Sequence, residues 1–256
     1  MLGAVAGDIV GSRFEGRPTK SKDFQLFTPE CTFTDDTVLT VAVAECLLHD
    51  RPFAEVLKEY FRRYPYAGYG GSFMAWAASE ASEPYNSFGN GSAMRVSPVG
   101  WYYSSLEEVL QQAQNSAAVT HSHPEGIKGA QAVAASIFWA RQGWSKEGLR
   151  QEVGSRFGYD LGRSLQEIRP GYSFDVTCQG SVPEALICFL ESEDLEDALR
   201  NAVSLGGDSD TQACMAGAVA EAYYGAVPRP IVSQVLDRLD GSLRDKVAEF
   251  LSRIGK

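Results

Sequence analysis

The sequence predicts an all-α fold, a compact helical bundle in one domain that spans residues 1–256. Three observations lead to this prediction. Apolar residues recur with helical spacing along most of the chain, no segment alternates apolar and polar residues between hairpin turns, and 44% of the residues are apolar. A chain of this length and composition can bury a core without disulfides. No linker-like segment and no repeat of about 20–50 residues divides it.

The predicted helices of the first two thirds of the chain follow from composition and spacing. Thr37–Leu48 is apolar on nearly every face and is expected to be a buried helix despite its β-branched residues. Leu106–Ala118 and Lys146–Phe157 are amphipathic. Ile127–Gln142 is rich in Ala and stops at a glycine, as helices commonly do.

The last third contains four further helices by the same criteria. Pro183–Leu190 is a short apolar helix, Leu195–Val203 is amphipathic, and Thr211–Tyr224 is rich in Ala and stops at a glycine. Ile231–Ile254 is amphipathic and is expected to break at Gly241. The stretches expected to be irregular are Phe14–Thr34, Ala67–Ser72, Asn86–Gly100, Arg169–Val182 and Leu205–Asp210.

Charge and cysteine content exclude several classes of function. The chain has 23 Lys and Arg against 33 Asp and Glu, a net charge of −10, which argues against a nucleic-acid partner. No apolar stretch is long enough to span a membrane. The first residues lack a basic leader and reach Asp8 early, so we expect a cytoplasmic protein. The five cysteines are scattered, and we expect them to be reduced and mostly buried, neither paired nor bound to zinc.

Two acidic turns are the strongest functional signal. Thr34-Asp35-Asp36-Thr37 precedes one predicted helix, and Gly206-Gly207-Asp208-Ser209-Asp210-Thr211 precedes another. Taken singly, Asp36 and Asp210 could cap these helices. Four carboxylates brought together would instead repel unless they were protonated or neutralised. A bound cation is the simplest solution, and oxygen ligands favour Mg²⁺, Mn²⁺ or Ca²⁺. Both interpretations stay open here, because the sequence does not show that the turns meet.

Three other polar segments are candidates for ligand binding. Gly68-Tyr69-Gly70-Gly71-Ser72 opens an apolar helix and could present backbone N–H groups to a phosphate, or be a plain connection. Phe88–Arg95 surrounds an Asn-Gly step with an aromatic, an amide and a guanidinium. His121 and His123 lie two residues apart, a spacing that disfavours a shared metal, and one of them is expected to be a capping or core residue.

These segments, in this order, resemble the ADP-ribosylglycohydrolase family of the dinitrogenase reductase-activating type. The matching segments are GAVAGDIVGSRFEG, FTDDT, GYGGS, FGNGSAMRVSPVG, THSHPEG and SLGGDSDT, and they extend from residue 3 to about residue 225. The resemblance implies an all-α enzyme with a binuclear Mg²⁺ or Mn²⁺ centre that hydrolyses the bond between ADP-ribose and a side chain or small acceptor. Trp144–Gly180 matches no motif of the family.

The resemblance also implies roles for individual residues. The ion ligands would be Thr34, Asp35, Asp36, Asp208, Asp210 and Thr211, with Asp210 as a bridge. The catalytic set would be Glu15, Asp35, Asp36 and Asp210; on local evidence Glu15 could equally be a surface residue, and Asp8 a polar residue at a helix end. Phosphate would lie against Gly68, Tyr69, Gly70, Gly71 and Ser72, and the rest of ADP-ribose against Ser87, Phe88, Gly89, Asn90 and His121, with Phe88 stacking on a ring.

The expected reaction is hydrolysis at the anomeric carbon, assisted by two cations that bind ribose hydroxyls and activate water. The expected partner is an ADP-ribosylated protein or small molecule, and ADP-ribose is the product. The charge of −10 favours arginine as the acceptor side chain. Two alternatives remain: a metal-dependent nucleotide phosphoesterase and a non-catalytic relative that binds ADP-ribose.

Overall fold

A computed structural model describes residues 1–256 as fifteen α-helices without a β-strand, which confirms the all-α prediction. A short 3₁₀ turn, Ser12–Phe14, follows the first helix. The helices are α1 (Leu2–Gly11), α2 (Asp35–His49), α3 (Phe53–Arg63), α4 (Gly71–Ala78), α5 (Gly91–Met94), α6 (Ser97–Tyr102), α7 (Leu106–Ala118), α8 (Pro124–Arg141), α9 (Lys146–Phe157), α10 (Leu165–Ile168), α11 (Cys178–Leu190), α12 (Leu195–Val203), α13 (Ser209–Tyr224), α14 (Arg229–Arg238) and α15 (Gly241–Arg253).

Helices α1 and α13 pack with their backbones in close contact. Every fourth residue of α1 on this face is a glycine. A Cβ atom at Gly3, Gly7 or Gly11 would lie between 2.0 and 2.4 Å from a backbone atom of α13. Only glycine permits this approach, and it brings Gly11, at the end of α1, beside Asp210 in the first turn of α13.

The core is continuous, with 74 buried apolar residues in one cluster. Helices α2 and α13 are buried on almost every face, as the sequence predicts for Thr37–Leu48. The amphipathic helices α3, α7, α12 and α15 cover this core with their apolar faces and expose their charged faces.

Several helix predictions need correction. The sequence pattern does not predict α1, α3, α5, α6 or α10, and it describes Asn86–Gly100 as irregular, although α5 and α6 lie there. The short helices are too brief to show a period, and the glycines of α1 lower its intrinsic helix propensity. The prediction also begins α11 at Pro183 and leaves Arg169–Val182 irregular. The helix instead begins at Cys178, because the Thr177 hydroxyl caps it by accepting the Gly180 N–H at 3.0 Å.

Other expectations are confirmed. The long C-terminal segment is divided, since α14 ends at Arg238 and α15 begins at Gly241. All five cysteines are buried and unpaired. No helix has both the length and the apolar character that crossing a membrane requires.

Candidate active site

A cavity of about 390 Å³ opens where the first turns of α2, α4, α5 and α13 converge. Most of the residues predicted for the site lie in its wall: Glu15, Asp35, Asp36, Gly68, Gly70, Gly71, Ser72, Ser87, Gly89, Asn90, His121, Asp208, Asp210 and Thr211. Thr34, Tyr69 and Phe88 do not. The first N–H groups of α2 are already paired, with the Ala67 carbonyl, Thr34 and Asp8. The start of α4 is the N-terminus that suits an anionic ligand.

The first acidic cluster joins three helices. Asp8 of α1, Asp36 of α2 and Asp210 of α13 each bring a carboxylate oxygen within 4.8 Å of the other two. Asp36 and Asp210 lie in the first turns of their helices, and the approach of α1 to α13 supplies Asp8. The two acidic turns of the sequence therefore meet in the fold.

Asp8 organises the turn that precedes α2. Its Oδ2 accepts hydrogen bonds from the backbone N–H groups of Thr34 and Thr37, at 2.9 and 3.1 Å, and its Oδ1 accepts one from the Thr34 hydroxyl at 2.7 Å. The side chain is fully buried. Sequence reasoning did not assign Asp8 to the site, although a lone carboxylate in an otherwise apolar helical segment is a signal that a buried partner exists.

The second acidic cluster lies nearer the solvent. Glu15, just after the 3₁₀ turn, has a carboxylate oxygen within 4.8 Å of Asp208 and of Asp210. Asp208 is fixed from the opposite side by Asn90, whose Nδ2 donates a hydrogen bond to it at 2.7 Å. Asp210 belongs to both clusters and thus lies between them.

Helix capping does not explain the acidic residues. The Thr34 hydroxyl caps α2 by accepting the Asp36 N–H at 3.3 Å, so Asp36 is inside the helix and is not its cap. Asp208 occupies the cap position of α13, yet its side chain makes no capping hydrogen bond. The interpretation of Asp36 and Asp210 as caps is therefore wrong.

Burial makes these carboxylates hard to ionise together. Burial, followed by the nearby charges of Asp8 and Asp208, raises the pKa of Asp35 to about 8. Burial, and then the neighbouring carboxylates, raises the pKa values of Asp36 and Asp210 well above their ordinary value. Burial therefore favours the protonated form of all three, and a positive charge beside them would favour the ionised form.

The side chains present fit a divalent cation. The Asp36 Oδ1 atom is buried and has no hydrogen-bond partner. An orphaned carboxylate oxygen among other carboxylates is costly, and a hard cation would relieve that cost. The donors are oxygens without histidine or cysteine, which is the ligand chemistry of Mg²⁺, Mn²⁺ and Ca²⁺. Both clusters could therefore bind metal ions.

The glycine-rich segment forms one side of the cavity. Gly68 has φ near +100°, and Gly70 and Gly71 have open space where a side chain would be. This leaves the backbone N–H groups at the start of α4 open to a ligand. Tyr69 turns away: its ring stacks on Phe73 at 5.2 Å, inside the core.

The opposite side is formed by Ser87–Asn90 and the histidine segment. Phe88 is 46% exposed and lies edge-on to the His123 ring at 5.5 Å, outside the cavity wall. His123 caps α8, with its Nδ1 accepting the Glu125 N–H at 3.1 Å, which confirms that one histidine is a capping residue. His121 is buried and lines the cavity.

The mouth of the cavity contains apolar residues that no motif predicted. Phe174 and Val176 are 54% and 48% exposed. They belong to a segment that packs against the Asn-Gly turn. The Asn90 N–H donates a hydrogen bond to the Val176 carbonyl at 2.8 Å, and Gly89 forms a β-bridge with Thr177. The cavity therefore combines an acidic floor, an open glycine-rich side and an apolar rim, an arrangement suited to a phosphorylated sugar attached to a ring.

Comparisons with known proteins point to one family. A family model described as ADP-ribosylglycohydrolase matches residues 1–255. "ADP-ribosylhydrolase ARH3" of Mus musculus is 29% identical over an alignment of 306 positions, covering 88% of this chain and 82% of that protein. "ADP-ribosylarginine hydrolase Tri1" of Pseudomonas putida (strain GB-1) is 26% identical over 269 residues, covering 90% and 71%. A solved structure, "ADP-ribosylglycohydrolase-related protein complex", superposes with a TM-score of 0.74 at 27% identity, covering 99% and 95%.

Proposed function

The chain belongs to the ADP-ribosylglycohydrolase family, enzymes that act on glycosidic bonds of ADP-ribose, and from that premise we propose its reaction. The enzyme hydrolyses the bond between ADP-ribose and an acceptor, with two Mg²⁺ or Mn²⁺ ions, and releases ADP-ribose. The observation that carries this proposal is the pair of acidic clusters that share Asp210 on the floor of a glycine-rich cavity. The whole chain, residues 1–256, acts as one domain around that cavity.

The ions would be held by the acidic turns. Asp36, Asp208 and Asp210 belong to the two clusters, and the Thr211 hydroxyl donates to Asp36 Oδ2 at 3.3 Å, all of which supports their assignment as ligands. Asp35 contributes from the cavity wall. The Thr34 hydroxyl is already engaged with Asp8 and with α2, so its part in ligation rests on the family resemblance.

Asp8 supports the ligands without joining them. Both of its oxygens already accept hydrogen bonds from Thr34 and Thr37. Its function is to fix the turn from which Asp35 and Asp36 project. Removal of this carboxylate would remove no proposed ligand, but it would free the turn that positions Asp35 and Asp36.

The chemistry requires water to attack the anomeric carbon while the acceptor leaves. Bound divalent cations supply Lewis-acid chemistry, lowering the pKa of water and holding sugar hydroxyls. Glu15 lies on the solvent side of Asp208 and Asp210, where its carboxylate can accept the proton of the attacking water and return it to the departing acceptor. Burial, then the charges of Asp208 and Asp8, raises the pKa of Glu15, which suits a group that both takes and gives a proton.

Binding energy comes from the parts of the ligand remote from the reacting carbon. Gly70–Ser72, at the start of α4, line the cavity, and their backbone N–H groups would receive the phosphates. Ser87, Gly89, Asn90 and His121 form the opposite wall and would hold the remaining polar groups. Such contacts orient the sugar so that its anomeric carbon meets the acidic floor.

The acceptor we propose is an arginine side chain. The carboxylates of the cavity favour a cationic leaving group, and Arg95, the one cationic residue of the wall, is fully buried. The name of the Pseudomonas putida relative describes that protein as a hydrolase of ADP-ribosylarginine.

A substrate panel tests the proposal. ADP-ribosyl-arginine and ADP-ribosyl-serine are incubated with the enzyme at equal concentration, with Mg²⁺ or Mn²⁺, at low and at high salt, and released ADP-ribose is quantified. We expect release from both, faster from arginine, with the preference reduced by salt. Faster release from serine would contradict the acceptor assignment alone. Phosphate release without ADP-ribose, or tight binding without turnover, would contradict the hydrolase reaction itself.

A further inference from the structure

Arg95 is a buried cation that the proposed reaction does not use. The side chain is fully buried at the end of α5, and neither of its two hydrogen-bond partners is a carboxylate. Its Nη2 donates to the Ser116 carbonyl at 2.7 Å and to the Thr120 hydroxyl at 2.9 Å, whereas Nε and Nη1 have no partner. Burial lowers the pKa of Arg95 to about 10, so the guanidinium keeps its charge at neutral pH.

The Thr120 hydroxyl links this cation to the cavity. Its oxygen accepts from Arg95 on one side and lies 2.7 Å from His121 Nδ1 on the other. A guanidinium has no acceptor atom, so the hydroxyl proton cannot point back at Arg95. Of its two closest partners, Arg95 Nη2 and His121 Nδ1, only the ring nitrogen can take its proton. The Tyr85 hydroxyl, the other polar group that faces Thr120, has a proton of its own to donate.

The proton positions in His121 follow from this contact. If Thr120 donates to Nδ1, that nitrogen carries a lone pair, and the single proton of the neutral ring lies on Nε2. Burial, and then the charge of Arg95, holds the pKa of His121 well below its ordinary value, so the ring is neutral. The guanidinium also polarises the Thr120 hydroxyl and makes it a better donor.

The Nε2 atom faces the region where a ligand would lie. A Cβ atom added at Gly91 would be 3.2 Å from Nε2, and one added at Gly89 would be 3.6 Å from it. No protein group forms a hydrogen bond with this nitrogen. The glycines keep the edge of the ring open, and His121 is part of the cavity wall.

We propose that Arg95 and Thr120 are positioning residues that hold His121 as a neutral imidazole with its Nε2–H directed into the cavity. This arrangement selects a ligand atom that accepts a hydrogen bond, such as a phosphate or sugar oxygen, and rejects a donor at the same place. That the ligand is ADP-ribose rests on the proposed function; the position of the proton does not.

Nitrogen NMR on ¹⁵N-histidine-labelled protein tests the proposal directly. The chain has three histidines, so a His121→Gln variant assigns the relevant signals by difference. In the wild type we expect His121 Nδ1 to resonate as a nitrogen without a proton and Nε2 as a protonated one. Thr120→Val removes the hydroxyl at similar volume and should shift both signals toward a mixture of tautomers. Thr120→Ser keeps the hydroxyl and should retain the wild-type signals.

A matched control separates this effect from general loss of a buried hydroxyl. Thr40 is also buried, and its hydroxyl approaches the Met94 carbonyl at 3.5 Å. Thr40→Val should leave the His121 signals unchanged. Affinity for ADP-ribose should fall about tenfold in Thr120→Val, the equivalent of one hydrogen bond, and be regained in Thr120→Ser.

Two results would overturn the proposal. One is a protonated Nδ1 in the wild-type protein; the other is a Thr120→Val variant with unchanged ring signals and unchanged ADP-ribose affinity. Because the ring signals are measured without ligand, they stand even if the protein hydrolyses no ADP-ribosyl bond. The failure of the proposed function and the failure of this inference are thus distinguishable.

Discussion

Replacing Gly7 by alanine tests whether the close packing of α1 on α13 builds the acidic site. The added Cβ would lie 2.0 Å from the Ala213 carbonyl oxygen and 2.2 Å from its carbon. An ordinary contact needs about 3.4 Å, so the two helices must separate by about 1.4 Å at this point. The next residue along α1 is Asp8, which would move with its helix.

The expected loss has two parts. Overpacking of this kind costs about 1–3 kcal/mol, which in a protein of this size lowers Tm by roughly 2–12 °C. Displacement of Asp8 releases the turn of Thr34 and Asp36, and a misplacement of about 1 Å at a reacting centre can cost on the order of 100-fold in rate. Turnover should therefore fall further than stability alone explains.

The assay combines thermal unfolding, with and without Mn²⁺, and ADP-ribose release at a temperature where the variant is folded. Gly154→Ala is the matched control, since Gly154 is inside α9 and its added Cβ has its nearest neighbour at 3.4 Å. That control should keep wild-type turnover and gain up to about 1 kcal/mol from helix propensity. A Gly7→Ala enzyme with the Tm and turnover of the wild type would refute the argument.

Three further substitutions test two residues of the site and one ion pair outside it. Asp210→Asn should abolish turnover and remove most of the stabilisation by Mn²⁺. It should raise the Tm of the chelated protein, because one repelling carboxylate is gone. An active variant would contradict the position of Asp210 between the two clusters. Glu15→Gln should slow release from ADP-ribosyl-arginine by about 100-fold or more while weakening ADP-ribose binding only slightly; equal losses would argue against proton transfer. Glu59→Gln tests electrostatics far from the site. The hydrogen bond from Arg51 lowers the pKa of Glu59. This interaction therefore stabilises the fold above the ordinary pKa of a glutamate, and the stabilisation is lost as the pH falls through the lowered pKa of Glu59. Denaturant unfolding should show wild type more stable by up to about 1 kcal/mol at pH 7 and no difference well below about pH 4; a constant difference would contradict this.

The helical fold could be predicted because the longest apolar segments are too long for typical strands and end at glycine stop signals. Helices α2 and α13 lie close to their predicted positions because their composition and end signals agree. Helix α1 could not be predicted in the same way: its glycines disfavour an isolated helix, and contact with α13 stabilises it. That contact joins residues some 200 positions apart, which local patterns do not encode.

The site was predictable in its residue types and less so in its arrangement. The acidic turns were identified from the sequence, but their meeting, and the choice between capping and cation binding, required the fold. Asp8 was not assigned to the site from the sequence, because its hydrogen-bond partner Thr37 lies on another helix. Tyr69 and Phe88 belong to the expected segments yet point away from the cavity, since a motif fixes the backbone and not the side-chain direction. Phe174 and Val176 lie in a stretch without any motif.

Metal dependence of both turnover and stability in the same samples is the most direct test of the account. The protein is exhaustively chelated, and ADP-ribose release and Tm are measured before and after Mg²⁺ or Mn²⁺ is returned. We expect turnover to disappear and Tm to fall on chelation, and both to recover with the ion, which at 100 times its Kd contributes about 2.7 kcal/mol. Chelated protein that cleaves ADP-ribosyl-arginine at the original rate would contradict the assignment of the acidic clusters as the catalytic metal centre.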